Sequence, residues 1–266
     1  MLLVSIVAGF LGSLLGFGGG IIVVPVLTLF FGVDIRFAVA ASLISIIATS
    51  SGAAASFLKD HLTNLRVAVL LELGTVLGAI SGFLISTYIQ ANWLYLLFGF
   101  FLFFSSIMMF KKKKDSTSLV NHPWSDKLGL ESKYQDHLGN VIHYKVAGVP
   151  WGLFSMYFAG VLSALLGIGS GIFKVLAMDG FMKIPVKVSS ATSNFMIGVT
   201  ASASAGAYLM RGDIRPEIAC PVSLGIIFGA FMGAKALPKM PADTIRKIFG
   251  VGLLIVSAQM IYKGFQ

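Results

Sequence analysis

Charge is scarce in this 266-residue chain: 12% of its residues are Asp, Glu, Lys or Arg, against 56% hydrophobic ones, and the mean hydropathy is +0.88. Residues 1–110 hold six charged side chains, Asp34, Arg36, Lys59, Asp60, Arg66 and Glu72, too few to solvate a globule of that length. A water-soluble domain is excluded, and an integral membrane protein is the default reading. Cys220 is the only cysteine, which excludes a disulfide framework and a cysteine-built metal or redox site within one chain. No Lys or Arg precedes Arg36, so the apolar N-terminus lacks the basic start of a secretory signal and reads as structure. Of four histidines, His122, His137 and His143 lie within 111–150 at spacings that fit no compact ligand pattern. They read as loop residues, and neither metal nor cofactor is expected. The excess of 20 Lys and Arg over 11 Asp and Glu, net +9, falls on no basic helix or aromatic-interleaved stripe, so it reads as cytoplasm-facing loop charge and not as a nucleic-acid footprint.

What the chain has in abundance is hydrophobic segments, at about 2–33, 37–58, 67–89, 93–110, 151–181, 188–210, 217–237 and 245–262. Most match a hydrocarbon core of ~30 Å at ~1.5 Å per residue. Helices are required, because backbone polar groups in lipid must be satisfied within the segment. Residues 111–150 form the one hydrophilic stretch, opening on Lys111, Lys112, Lys113 and Lys114; a Leu-Gly-Asn turn signal between Tyr134 and Tyr144 predicts a hairpin there. The organisation is therefore a first transmembrane repeat (1–110), a cytoplasmic connector (111–150) and a second transmembrane repeat (151–266).

The repeat is internal and ungapped. A shift of 151 residues superimposes nine of fourteen positions between 8–21 and 159–172, then Ser42 on Ser193, Thr49 on Thr200, Gly74, Gly78 and Gly82 on Gly225, Gly229 and Gly233, and Gly99 on Gly250. Within each half the first segment carries a glycine cluster, Gly16, Gly18, Gly19 and Gly20 or Gly167, Gly169 and Gly171. A straight helix over 2–33 would measure ~48 Å, longer than the bilayer core, whereas the arms on either side of the cluster reach only ~21 and ~17 Å. Glycine weakens a helix by ~1 kcal/mol and admits left-handed angles, so a broken or re-entrant hairpin is predicted at both places. The glycines spaced by four in 74–82 and 225–233 instead read as close helix packing. If each hairpin returns to the side it entered, the richest Lys/Arg clusters all fall on the cytoplasmic side and the halves are inverted. The predicted fold is an all-α membrane protein of two inverted repeats, each a hairpin plus three transmembrane helices.

Helices that begin after such turns present unpaired N–H groups and a positive dipole end, which suits an anion. The candidate substrate-binding set is Gly18, Gly19, Gly20 and Ser42 from the first half, with Gly169, Ser170, Gly171, Lys174, Thr192, Ser193 and Asn194 from the second. Lys174 leads it, being an ionisable residue deep in an apolar stretch; snorkelling to an interface or pairing with Asp179 are the other uses of its charge. Glu72 is the embedded acid and a candidate proton carrier, or one half of an ion pair near the cytoplasmic face.

The motifs GFGGGIIVVP at 16–25 with GIGSGIFKV at 167–175, and AASL at 40–43 with ATSN at 191–194, resemble the TauE/SafE family of sulfite-exporter-like permeases, over essentially all but the connector. The resemblance implies transport of sulfite, organosulfonates or a related small sulfur-containing anion across a prokaryotic inner membrane. Leu176 stands where the first half has Pro25, Ser170 where it has Gly19, and Thr192 where it has Ala41, so the halves need not contribute equally. An anion permease working by alternating access is the leading expectation. An anion channel is the alternative, and an intramembrane enzyme is disfavoured by the absence of an embedded nucleophile–base pair.

Overall fold

The computed structural model describes residues 1–15, 20–59, 62–110, 123–135, 141–236 and 242–266. The first half comprises α1 (Leu2–Leu15), α2 (Gly20–Phe30), α3 (Ile35–Lys59), α4 (Leu65–Tyr88) and α5 (Ala91–Phe110). The connector holds a short α6 (Pro123–Leu128) and an antiparallel hairpin of β1 (Ser132–Gln135) and β2 (Val141–Tyr144), in which Ser132 faces Tyr144 and Gln135 faces Val141. The second half comprises α7 (Val149–Leu166), α8 (Gly171–Gly180), α9 (Val186–Arg211), α10 (Pro216–Ala236) and α11 (Ala242–Gly264). The described parts of the hydrophobic segments are thus mainly helical, with the one described sheet confined to the connector.

Local chemistry sets several of these boundaries. Asn64 caps α4, its Oδ1 accepting from the Val67 amide at 3.2 Å, as a short polar side chain does for an orphan helix donor. Pro150 sits in the first turn of α7, where its missing N–H costs nothing. At the far end Gly167 stops α7 at φ +64°, its amide bonding back to Ser163 O, a backbone angle that a Cβ would strain.

Of the described helices, α4 and α7 are long and apolar enough to cross a membrane, with mean hydropathies of 2.0 and 1.6. Along α4 the side chains of Val69, Leu73, Leu77, Ile80 and Leu84 are exposed at successive turns. A stripe of that length has no place in water and every place against lipid.

The helices pair across the halves instead of within them: α1 lies along α10, α7 along α4, α5 along α11 and α3 along α9. The first two pairings repeat each other residue for residue. A Cβ on Gly78 would fall 2.0 Å from Tyr157 O, and one on Gly229 2.0 Å from Ile6 O; Gly160 meets Thr75 O at 2.1 Å, and Gly9 meets Ile226 O at 2.4 Å. Each contact maps onto its mate under the 151-residue shift. The glycine ladders are therefore close-packing surfaces, with Gly233 lying outside the described side chains. Around them runs a central core of α2, α3, α5 and the α7–α8 turn, including Ile21, Val24, Leu43, Ile46, Phe98, Leu166 and Ile168. A second core at the connector end gathers Leu71, Leu130, Tyr144, Met156, Met178, Met182 and Met196.

Gly78→Val therefore forces α4 away from α7 and should lower stability by about 1–3 kcal/mol. Gly206→Ala, where a Cβ meets nothing within 4 Å, should leave it unchanged; thermal unfolding of both variants in detergent checks the contrast.

Candidate functional site

Between α7 and α8 the backbone takes left-handed angles at Gly167, Gly169 and Ser170, with φ of +64°, +67° and +51°. Three such residues in four reverse the chain sharply, and the amide of Ala147 before α7 donates to Met182 O after α8 at 3.0 Å. The two helices thus enter and leave at one end, with a closed tip at the other. Ser42 of α3 donates to the Gly167 carbonyl at 2.6 Å, which satisfies an acceptor the break exposes. The first residue of α2, Gly20, presses into the same spot: a Cβ there would sit 2.7 Å from Gly167 O and 2.8 Å from Ser42 Oγ. On the other flank Ser193 of α9 donates to Gly171 O at 3.2 Å. The first hydrogen bond of α8 runs from Lys174 N to Ser170 O, so the amides of Gly171, Ile172 and Phe173 precede it. Ser170 caps the helix without a side-chain bond to it. Its hydroxyl is buried, the residue 1% exposed, and makes no hydrogen bond; the Ser163 hydroxyl one turn before the break is likewise buried and unpartnered.

One turn into α8, Lys174 is fully buried. Its ammonium donates to Glu72 Oε1 at 3.2 Å and to Thr200 Oγ1 at 2.5 Å. Thr200 lies 3.0 Å from both carboxylate oxygens, and Thr75 donates to Oε2 at 2.6 Å. An isolated charge at such depth costs several kcal/mol, so the pair and its two hydroxyls form one neutral unit. The unit joins α4 of the first half to α8 and α9 of the second. Lys174 is therefore paired with Glu72, and the sequence's alternative partner, Asp179, is not the one it bonds.

The chain matches the family described as "Sulfite exporter TauE/SafE" over residues 1–260. It belongs to the TauE/SafE family. The probable membrane transporter protein YunE of Bacillus subtilis is 28% identical over 271 residues, covering 99% of this chain and 97% of that one. A probable membrane transporter protein of Methanocaldococcus jannaschii is 30% identical over 261 residues, covering 92% and 88%. A third relative, YdhB of Bacillus subtilis, also a probable membrane transporter protein, is 26% identical over 246 residues, covering 92% and 91%. No solved structure matches the chain. As a TauE/SafE protein the chain is a multi-pass membrane transport protein.

The remaining residues expected at the site of this TauE/SafE protein divide between two places. Gly18 and Gly19 lie outside the described residues, whereas Gly20, Ser42, Gly169, Ser170, Gly171 and Ser193 meet around the α7–α8 break. Thr192 sits elsewhere, accepting the Asn64 amide at 3.1 Å. Asn64 in turn donates to Leu130 O at 3.1 Å and to the Tyr144 hydroxyl at 2.9 Å, so these residues tie α4 and α9 to the connector. Burial raises the Tyr144 phenol above its ordinary pKa and keeps it neutral. Asn194 braces α9, its amide on Ser190 O and its carbonyl accepting from Ser50 at 2.5 Å. Thr75, Ser163 and Tyr144 escape a reading of the sequence. Only Thr75 carried a signal, standing three residues after Glu72 on one helix face. At the opposite end Arg211 lies over the rings of Phe83 and Tyr208 at 4.7 and 4.8 Å, bonds Ser86 and Thr87, and pairs with Asp213. Among the described residues no group of three His, Cys, Asp or Glu could hold a metal.

Removing one partner of the buried pair leaves the other uncompensated. Lys174→Met should destabilise the protein by about 3–5 kcal/mol, while Lys174→Met with Glu72→Gln should recover most of that loss. Thermal unfolding of single and double variants gives the coupling.

Proposed function

We propose that this protein is a permease that carries a small sulfur-containing oxyanion, of the sulfite or organosulfonate class, across a prokaryotic inner membrane by alternating access. The observation that carries this reading is the N-terminus of α8. It begins inside the protein, beside a buried serine hydroxyl with no partner of its own. Amides that point past a helix start, an unspent hydroxyl and the positive end of a dipole together favour a negative oxygen. Sulfite and sulfonate headgroups present three such oxygens. Gly20 and Ser42 wall the place from the first half, and Gly169, Gly171 and Ser193 from the second.

In this reading the two hairpins are re-entrant, and the halves lie inverted about a two-fold axis in the membrane plane. The repeated glycine contacts of α1 with α10 and α7 with α4 support the axis. The Lys/Arg bias supports the inversion and sets the connector in the cytoplasm. Glu72 is the proton carrier: once its carboxylate takes a proton, the Lys174 ammonium loses its counter-charge and the incoming anion supplies a new one. That exchange keeps the buried charge compensated at each step.

Flux of radiolabelled sulfite into proteoliposomes tests the reading. Ser170→Gly, which restores the first half's residue and suits the left-handed backbone, removes the hydroxymethyl group and should raise the half-saturating concentration about tenfold. Saturable uptake with counterflow is expected. Unsaturable flux would make the protein a channel, and identical uptake by wild type and Ser170→Gly would remove the α8 terminus from the binding site.

A further inference from the structure

The 151-residue shift that relates the halves also relates two seams between them, and the two seams are built differently. In the first, Glu72 of α4 binds Lys174 of α8 and Thr200 of α9 in the bonds given above. The positions related to these three by the shift are Ser223 of α10, Val23 of α2 and Thr49 of α3. No charge stands there. Val23 is a buried hydrocarbon, and the Thr49 hydroxyl turns back to Ser45 O and Ile46 O of its own helix, at 3.2 and 3.0 Å. Among the described residues a single long contact joins α3 to α10 through their hydroxyls, Ser45 Oγ to Ser223 Oγ at 3.5 Å.

A second layer of fastening follows the same division. Asn64 ties α4 to Thr192 of α9 and to the connector at Leu130 and Tyr144, and Arg66 donates to Gly129 O at 2.7 Å. The position related to Asn64 is Arg215, whose guanidinium lies over the Phe37 ring at 4.0 Å. The described part of the connector is bonded to the first seam.

We infer that the Glu72–Lys174–Thr200–Thr75 unit is a latch that keeps the α4–α8–α9 seam shut, and that the related α2–α3–α10 seam is the one that gives way first. Opening the first seam separates a buried ion pair; opening the second parts a hydroxyl contact, the Arg215–Phe37 cation–ring contact and apolar surface, with no ion pair among the described residues. The transport cycle is then uneven, with the latched side the slower to open. This inference rests on the transporter reading but is indifferent to which anion is carried.

Ser45 and Met196 occupy related positions on α3 and α9, and both are fully buried. In a Cys220→Ser background, since Cys220 is exposed, Ser45→Cys and Met196→Cys are placed one at a time. Their reaction with a small water-soluble thiosulfonate is followed in proteoliposomes without substrate. Cysteine at 45 should react roughly tenfold or more faster than cysteine at 196. Adding Glu72→Gln with Lys174→Met should bring the rate at 196 up to that at 45. Equal rates in the intact latch, including no reaction at either site, or faster reaction at 196, overturn the inference. So does an unchanged rate at 196 in a double variant whose thermal unfolding shows it folded. If the double variant does not fold, the comparison in the intact protein decides alone. Sulfite flux is measured separately, so a protein that fails to move sulfite yet keeps the labelling difference loses the substrate and retains the latch.

Discussion

In hydrocarbon no water is at hand to receive a backbone amide or carbonyl, so a helix interrupted inside the membrane needs every freed group met by protein. At the α7–α8 break several polar backbone groups find such partners. Ser42 takes the Gly167 carbonyl, Ser193 takes that of Gly171, and the Ser163 carbonyl takes the Gly167 amide. What remains unspent includes the hydroxyls of Ser163 and Ser170 and the donors at the start of α8. Under the proposed function, this interruption is the place that takes the anion.

The same economy governs the charges. A lysine and a glutamate from different halves are buried together, and two threonines fill the lone pairs and protons that the pair leaves over. Burying charge in this way adds little to net stability, because desolvation offsets the attraction. Its value lies in specificity of arrangement: α4, α8 and α9 can meet in one register without an uncompensated charge.

Much of this could be read from the residues. The hydrophobic segments, the repeat, the glycine ladders as packing surfaces and the TauE/SafE resemblance all rest on spacing and composition, which survive without knowledge of partners. Lys174 and Glu72 stood out singly, because an ionisable residue in an apolar run is conspicuous. Their union was not legible, since 102 residues separate them and only the packing of α4 along α7 brings them together. Thr192 misled for the complementary reason. It lies next to Ser193 in the chain, but on a helix adjacent residues point about 100° apart, and its hydroxyl faces Asn64 instead of the break. Tyr144 lies in a stretch with weak periodicity, and its role depends on where the connector folds back.

The exchange of helices between halves has a consequence for how the molecule is made. Helix α1 finds its glycine-matched companion only when α10 has been synthesised, some two hundred residues later, and α4 likewise waits for α7. Until then the small-residue faces of α1 and α4 stand open to lipid or to insertion machinery. Biogenesis must therefore keep a half-finished chain in the bilayer without letting those surfaces zip to the wrong neighbour, and a truncated first half has no native partner for either of them.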